Sequence, residues 1–196
     1  MFICMKFNLK NRMKKQILIV ALLLLVSNII FSQENSQELQ KQFKIDFNFM
    51  GAGISYEIPL AAKWTVDLST GIGGGSTSDK DFGWVFNDSP ALYLKSEFKY
   101  IYNRDKRNKK RKNNIGNSGN YLAFQTKYTS KRLSKSKTET PLQNTLLTEL
   151  HWGMQRSLGD QWLLNIHIGA GILRDLDLND GALFPALGLK FSYILF

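Results

Sequence analysis

The chain has almost no cysteine. Among its 196 residues only Cys4 is a cysteine, and it lies in an N-terminal segment that we expect to be removed. The remaining chain therefore has no disulfide, no thiolate zinc site and no cysteine nucleophile. Because no cysteine follows the apolar stretch near the N-terminus, attachment of a lipid anchor there is also disfavoured.

The chain also lacks an apolar run long enough to span a membrane as a helix. The longest run, residues 17–30, covers about 14 positions, whereas a spanning helix needs roughly 20. It follows Met13-Lys14-Lys15 and precedes Phe31-Ser32-Gln33, which gives the charged start, apolar centre and small residue of a secretory signal. An uncleaved membrane anchor is the alternative, and the short run argues against it.

We therefore assign residues 1–33 as the signal-peptide region, with cleavage after Ser32. Residues 1–12 precede the charged start and form an upstream extension. Residues 34–42 are a polar N-terminal segment, and residues 43–196 form one domain, which fits the length of the chain.

Positive charge is not spread over the chain. It has 26 Lys and Arg against 16 Asp and Glu, but five of these bases precede Gln33 and seven lie between Arg104 and Lys112. The rest holds 14 bases and 15 acids and is nearly neutral. A nucleic-acid-binding protein usually has a wider basic surface with a recognisable reading element, so we expect no nucleic-acid partner.

Apolar and polar residues alternate along most of the chain after the signal peptide. Between residues 146 and 155, for example, Leu150 and Trp152 alternate with Glu149 and His151. A period of two over ten residues predicts strands with two different faces. Seven candidate strands follow from this pattern, at residues 43–58, 63–74, 91–102, 121–133, 146–154, 162–172 and 182–196.

The first candidate strand changes phase in its middle. Apolar residues occupy odd positions up to Phe49 and even positions from Met50 onward. Such a flip indicates either a bulge or two short strands joined near Gly51 or Gly53. The strand count therefore stays open between seven and eight, although single-chain bacterial barrels nearly always have an even number.

These strands are longer than the usual 5–6 residues and match the roughly 9–11 residues of a membrane strand. Lipid offers backbone groups no hydrogen-bond partner, so a sheet in a membrane must close. We predict an all-β, antiparallel, up-and-down transmembrane barrel with polar side chains inside. Aromatic residues near predicted strand ends fit an interfacial girdle: Trp64, Tyr102, Tyr121, Trp162 and Tyr193.

Several features together resemble the small outer-membrane barrels of the OmpX and OmpA type in Gram-negative bacteria. They are the signal peptide, the run Tyr56-Glu57-Ile58-Pro59-Leu60 that leads through a short turn to Lys63-Trp64, the alternating strands and the terminal Phe196. At the family's C-terminal assembly signal, Phe196 and Ile194 fit, whereas Ser192 and Lys190 do not.

The resemblance covers essentially the whole chain after the signal peptide. It implies an outer-membrane location with both termini in the periplasm. The implied partners are outer-membrane lipid, lipopolysaccharide and, during insertion, the barrel-assembly machinery. Members of this family serve as adhesins, anchors, small pores or lipid-modifying enzymes, so the fold does not settle the function. We expect a non-enzymatic structural or interaction role through the loops, with a lipid-modifying enzyme and a small pore as alternatives.

Two histidines and a glutamate are the candidate chemical residues. His151 and His167 lie on the polar parity of consecutive strands, and Glu149 is one pleat from His151. Two imidazoles and a carboxylate can ligate a metal or supply a base for lipid hydrolysis. The default interpretation is a hydrogen-bonded polar lumen, because a small barrel fills its interior with side chains. We assign no metal and no cofactor from the sequence.

The basic run lies in the predicted connection 103–120. Counting back from Phe196 places this connection at the same end as the termini, opposite the predicted loops 75–90, 130–144 and 174–181. A charge run is most often a solvated loop. The alternative is contact with an anionic periplasmic partner, with lipid phosphates or, if the strand count is wrong by one, with lipopolysaccharide. The candidate bases are Arg104, Lys106, Arg107, Lys109, Lys110, Arg111 and Lys112.

Overall fold

Most of the described residues belong to β-strands. The computed structural model describes residues 38–49, 51–79, 83–132, 144–177 and 180–196, so the predicted signal-peptide region lies outside the described residues. The strands are β1 Gln42–Asn48, β2 Gly51–Ala61, β3 Trp64–Asp79, β4 Gly83–Tyr100, β5 Gly119–Arg132, β6 Thr145–Leu158, β7 Trp162–Asp175 and β8 Gly181–Ile194.

These eight strands form one closed antiparallel barrel. Each strand pairs with the next, and β1 closes the sheet by pairing with β8, for example Phe47 with Phe191. The predicted all-β, antiparallel, up-and-down barrel is confirmed, and the strand count is eight. The phase flip in the first candidate strand marks the join between β1 and β2, where Asn48 pairs with Gly51.

The hairpin of β3 and β4 is longer than the sequence suggests. Residues 75–90 were predicted to form a loop, but most of them belong to the two strands. The turn signal Asn87-Asp88-Ser89-Pro90 makes a bulge instead of a turn, because Gly74 pairs with Pro90 and Gly75 with Asn87. A bulge leaves residues unpaired within a strand and so accommodates a proline that cannot donate to the ladder.

The two faces of the wall are the reverse of those in a water-soluble protein. Side chains that point inward are charged or polar, and Lys44 and Glu57 are almost completely buried. Side chains that point outward are apolar and exposed, with Leu150 at 67% and Leu187 at 71% relative exposure. The prediction of a polar interior and an apolar exterior is therefore confirmed along the described strands.

Inside the barrel, aromatic rings lie over glycines of the neighbouring strand. Tyr121 of β5 pairs with Gly153 of β6, and a Cβ atom at Gly153 would overlap the Tyr121 ring. His167 of β7 pairs in the same way with Gly188 of β8, where a Cβ atom would overlap the imidazole. The glycine opposite each ring leaves space for that ring, so large side chains fit into a narrow lumen.

A small apolar cluster fills the lumen at the end of the barrel where β1 begins and β8 ends. These two points are the termini of the barrel, and they define this end below. It consists of Leu39, Ile101, Tyr121 and Ala123. The girdle prediction is therefore wrong for Tyr121, whose side chain is buried and donates a 2.8 Å hydrogen bond to Asn165 Oδ1. Its parity within β5 is that of the inward face, although its position near a strand end is typical of a girdle residue.

The connection between β4 and β5 covers this same end. It contains helix α1, Arg104–Lys109, and a 3₁₀ turn at Ile115–Asn117. Asn117 ties the turn to the segment before β1, because its side chain both donates to and accepts from the backbone of Gln40 at 2.8 Å. No helix among the described residues is long and apolar enough to cross a membrane.

We predict that Gly153→Ala lowers the free energy of unfolding by about 1–3 kcal/mol, because the new methyl group displaces the Tyr121 ring. Urea unfolding in detergent measures this change. In a chain that already carries Tyr121→Ala, the same glycine substitution should have almost no effect. Equal effects in both backgrounds would show that the ring is not the cause.

Candidate functional site

A network of ion pairs fills the lumen in the half nearest the termini. Lys44 Nζ of β1 lies 2.6 Å from Glu57 Oε2 of β2 and 2.8 Å from Asp67 Oδ2 of β3. Lys99 of β4 lies 3.5 Å from the same Asp67 oxygen, and Lys190 of β8 lies 3.3 Å from Asp46. Side chains from five strands thus converge on one buried cluster.

Charges balance within this network. Buried charges destabilise a protein unless they are paired and hydrogen-bonded. The network joins the carboxylates of Asp46, Glu57 and Asp67 to the ammonium groups of Lys44, Lys99 and Lys190, and Glu97 forms a further pair with Lys95. The sequence predicts that these residues lie on the inward parity, but their pairing depends on register across several strands and is not visible in it.

The predicted chemical residues come together on β6 and β7. His151 Nδ1 lies 3.0 Å from Glu149 Oε1, and His167 Nε2 lies 3.7 Å from the same oxygen. The imidazole rings are stacked, with centroids 4.2 Å apart. Strand register explains this, because His151 pairs with Gly169 and His167 with Gly153, which sets the two histidines on a diagonal.

Two further residues complete the cluster and were missed in the sequence. Glu97 of β4 lies 3.3 Å from His151 Nε2 and approaches it from two strands away. Gln125 of β5 donates a 2.9 Å hydrogen bond from Nε2 to Glu149 Oε1. The only signal that could have found them is their inward parity, which many other polar residues share.

A cavity of about 560 Å³ lies above this cluster, toward the end of the barrel opposite the termini. Glu149 and His167 line its floor, together with Lys127, whose ammonium group lies 5.0 Å from the centre of the Tyr93 ring. Its other wall is partly apolar and includes Phe184. Charged, titratable groups therefore lie at the inner end of a cavity whose wall is partly apolar.

The structure divides the basic run into two groups. Arg104 and Arg107 are buried, and burial lowers the pKa of both guanidinium groups. Arg104 donates a 2.8 Å hydrogen bond to the carbonyl of Glu38, and Arg107 donates to the carbonyl of Asn113. These two arginines hold the connection in place. The exposed basic group consists of Lys106, Lys109, Lys110, Arg111 and Lys112.

Aromatic side chains surround the barrel at the same end. Trp64 stacks on Phe98 with ring centroids 4.8 Å apart, and Trp152 Nε1 donates a 2.8 Å hydrogen bond to the hydroxyl of Tyr102. Trp162 packs edge-on against Tyr193 at 5.1 Å. The exposed basic group therefore lies at the end that carries a ring of outward aromatic residues.

Comparison with known proteins identifies no relative of this chain. No family model, no curated protein and no solved structure matches the chain. The class of protein that the fold defines is a small, closed, eight-stranded antiparallel β-barrel with a charged interior.

We predict that Lys44→Met lowers the free energy of unfolding by about 3–5 kcal/mol, because it leaves Glu57 and Asp67 buried without their main partner. Urea unfolding in detergent measures the loss. The matched control is Lys63→Met, which removes an exposed ion pair of the same length, 2.6 Å to Asp105.

The Lys63 control should leave stability unchanged within error, since exposed ion pairs contribute little. Its hydrogen bond to Asp105 raises the pKa of Lys63, but water solvates both groups once the pair is broken. A Lys44 variant as stable as the Lys63 variant would contradict the role given to the buried network.

Proposed function

We propose that this chain is an integral outer-membrane protein with a structural or interaction role, carried by the segments at the two ends of a barrel that is not an open pore. The observation that carries the proposal is the reversed wall, apolar outside and charged inside. A water-soluble barrel would expose a ring of leucine, isoleucine and phenylalanine to water all the way round, whereas a bilayer accepts such a belt.

The filled lumen supports a closed barrel over the alternative of a small pore. An eight-stranded barrel has an interior just wide enough for side chains. Here the half nearest the termini holds the ion-pair network and the cluster around Tyr121, both of them buried. An ion crossing this half would have to break several salt bridges.

The alternative of a lipid-modifying enzyme rests on the two histidines and Glu149. A hydrolase that works through a covalent acyl-enzyme intermediate needs a side-chain nucleophile beside its base. Among the described residues, no serine or threonine hydroxyl is hydrogen-bonded to His151 or His167. The interaction role is therefore the better-supported proposal.

The exposed basic group is proposed to contact anionic lipid headgroups at the membrane surface next to the termini. Basic residues beside a ring of interfacial tryptophan and tyrosine are typical of a segment that lies against headgroups. In the barrels that this chain resembles, the termini face the periplasm, so these headgroups would be those of the inner leaflet. Lipopolysaccharide would then contact the opposite end.

The C-terminal strand is proposed to be the element that the barrel-assembly machinery binds during insertion. Phe196 stacks on Phe43 with ring centroids 5.6 Å apart, and its carbonyl accepts a 2.9 Å hydrogen bond from the Phe43 amide. Phe196 thus lies at the seam between β1 and β8, and the backbone edge of β8 that pairs with β1 is free only before closure.

We predict that Leu150→Arg destabilises the barrel by about 2–4 kcal/mol in phospholipid vesicles, because it puts a charge in the apolar belt. Leu158→Arg, at the end of β6, should lower stability by about 1 kcal/mol or less. Reversible urea unfolding in vesicles measures both. In a water-soluble protein, an arginine at the 67%-exposed Leu150 would have almost no effect, and that result would contradict the proposal.

We predict that exchange of all five residues of the exposed basic group for glutamine removes the preference of the barrel for anionic lipid. The wild-type chain should be more stable in vesicles that contain phosphatidylglycerol than in purely zwitterionic vesicles, and added salt should reduce the difference. A control with the lysines exchanged for arginine, which keeps the charge, should behave as wild type. Equal stability of wild type in both lipids would exclude the contact.

A further inference from the structure

One lumenal carboxylate lies outside the balanced ion-pair network. Glu149 is buried, yet no lysine or arginine among the described residues lies within ion-pair distance of it, and Lys127, which lines the same cavity, acts on it only at longer range. Its neighbours are the two histidines and the amide of Gln125, which donates to Oε1 at 2.9 Å. A buried carboxylate without a cation is strongly destabilised, so a positive charge belongs beside Glu149.

The orientation of His151 shows where that charge would lie. Its Nε2 atom is 3.3 Å from Glu97 Oε1, and Glu97 is itself paired with Lys95 at 3.6 Å. In the neutral ring with its proton on Nε2, this nitrogen donates to Glu97 and the Nδ1 atom carries a lone pair; in the imidazolium, Nδ1 also carries a proton. This Nδ1 is buried, has no hydrogen-bond partner among the described residues, and lies 3.0 Å from Glu149 Oε1.

A lone pair and a carboxylate oxygen that face each other at this distance repel unless a cation lies between them. His167 brings a third donor to the same place, and the donor atoms of the three residues all lie within 4.8 Å of one another. In a tetrahedral zinc site, bonds of about 2.0–2.1 Å set donors roughly 3.4 Å apart. The oxygen–nitrogen separations of 3.0 and 3.7 Å lie on either side of that value, and the cluster, whose donors all lie within 4.8 Å, would contract when the ion binds.

We propose that Glu149, His151 and His167 form a lumenal binding site for a divalent transition-metal ion of the zinc type, with Glu97 as a positioning residue. Imidazole nitrogen and carboxylate oxygen are the donors that such ions take. A second carboxylate that accepts the other ring N–H of a ligating histidine fixes its orientation, as Glu97 does for His151.

The surroundings of the site allow an ion to enter and leave. Glu149 and His167 line the 560 Å³ cavity, so the fourth coordination position faces open space where a water molecule fits. Gly188 lies opposite His167, and its missing side chain leaves the space that the imidazole occupies. The ion would reach the site from the end of the barrel opposite the termini.

The test uses the complete chain, produced without an affinity tag, purified in detergent and freed of metal with a chelator. Titration with zinc chloride, followed by dialysis and metal analysis, should give one tightly held ion per chain. The chain has only two histidines, so nitrogen NMR of ¹⁵N-histidine protein reports on both ligands directly. Zinc should shift the resonances of Nδ1 in His151 and Nε2 in His167.

Variants separate a built site from nonspecific binding. His151→Gln, His167→Gln and Glu149→Gln should each weaken zinc binding by more than about tenfold, and Glu97→Gln by about 10–100-fold. Asp46→Asn, a buried lumenal carboxylate outside the cluster, should bind zinc as the wild type does. Retention of the heat-dependent electrophoretic shift of a closed barrel verifies that each variant is folded.

Three results would overturn the proposal. A folded wild-type chain that binds no zinc has no such site. Equal binding in wild type and in the two histidine variants would mean an adventitious ion only. NMR signals that show protons on both nitrogens of His151, unchanged by zinc, would identify the missing cation as a proton. The first and third of these measurements use the wild-type chain alone and do not depend on the stability of a variant.

Discussion

The barrel depends on the pairing of charges inside it. Lys44 and Asp46 lie on β1, the shortest strand, and their partners lie on β2, β3 and β8. These contacts exist only when β1 has joined β2 to β8 and the sheet is closed. Closure and charge pairing therefore stabilise each other: an open sheet would leave several carboxylates and ammonium groups without partners.

This coupling also separates the lumen into two regions. Near the termini, lysines and carboxylates neutralise one another and leave no unpaired charge for a ligand. Around Glu149 the histidines are the nearest titratable side chains, next to a cavity that Lys127 also lines. Histidine, which can bind either a proton or a metal ion, thus occurs next to the network of permanently charged pairs.

Much of the fold can be predicted from alternation alone. The parity of residues such as Leu150 and Glu149 fixes which face each points to, because a strand has a period of two. The phase flip after Phe49 likewise predicts a break that the structure resolves into two strands. The predictions for Tyr121 and Pro90 were wrong because each depended on a local signal alone. Tyr121 is an aromatic residue near a strand end, and Pro90 closes a turn motif, but the environment of each depends on the residue that it pairs with on the neighbouring strand.

The candidate site was only half predictable. Glu149 and His151 are two residues apart on one strand, and the short β6–β7 turn fixes the position of His167, so local spacing brings these three together. Glu97 comes from β4 and reaches His151 across β5, where Ala123 leaves the space between them open. Such contacts depend on the tilt of the closed barrel, which no single stretch of sequence records.

The asymmetry of the lumen has a consequence for compartments. The half near the termini is filled, while the cavity lies toward the other end. If the barrel spans a membrane as proposed, its cavity exchanges with the solution on one side of that membrane only. Acidity and ion concentrations on that side set the state of the histidines, and conditions beyond the filled half have no direct route to them.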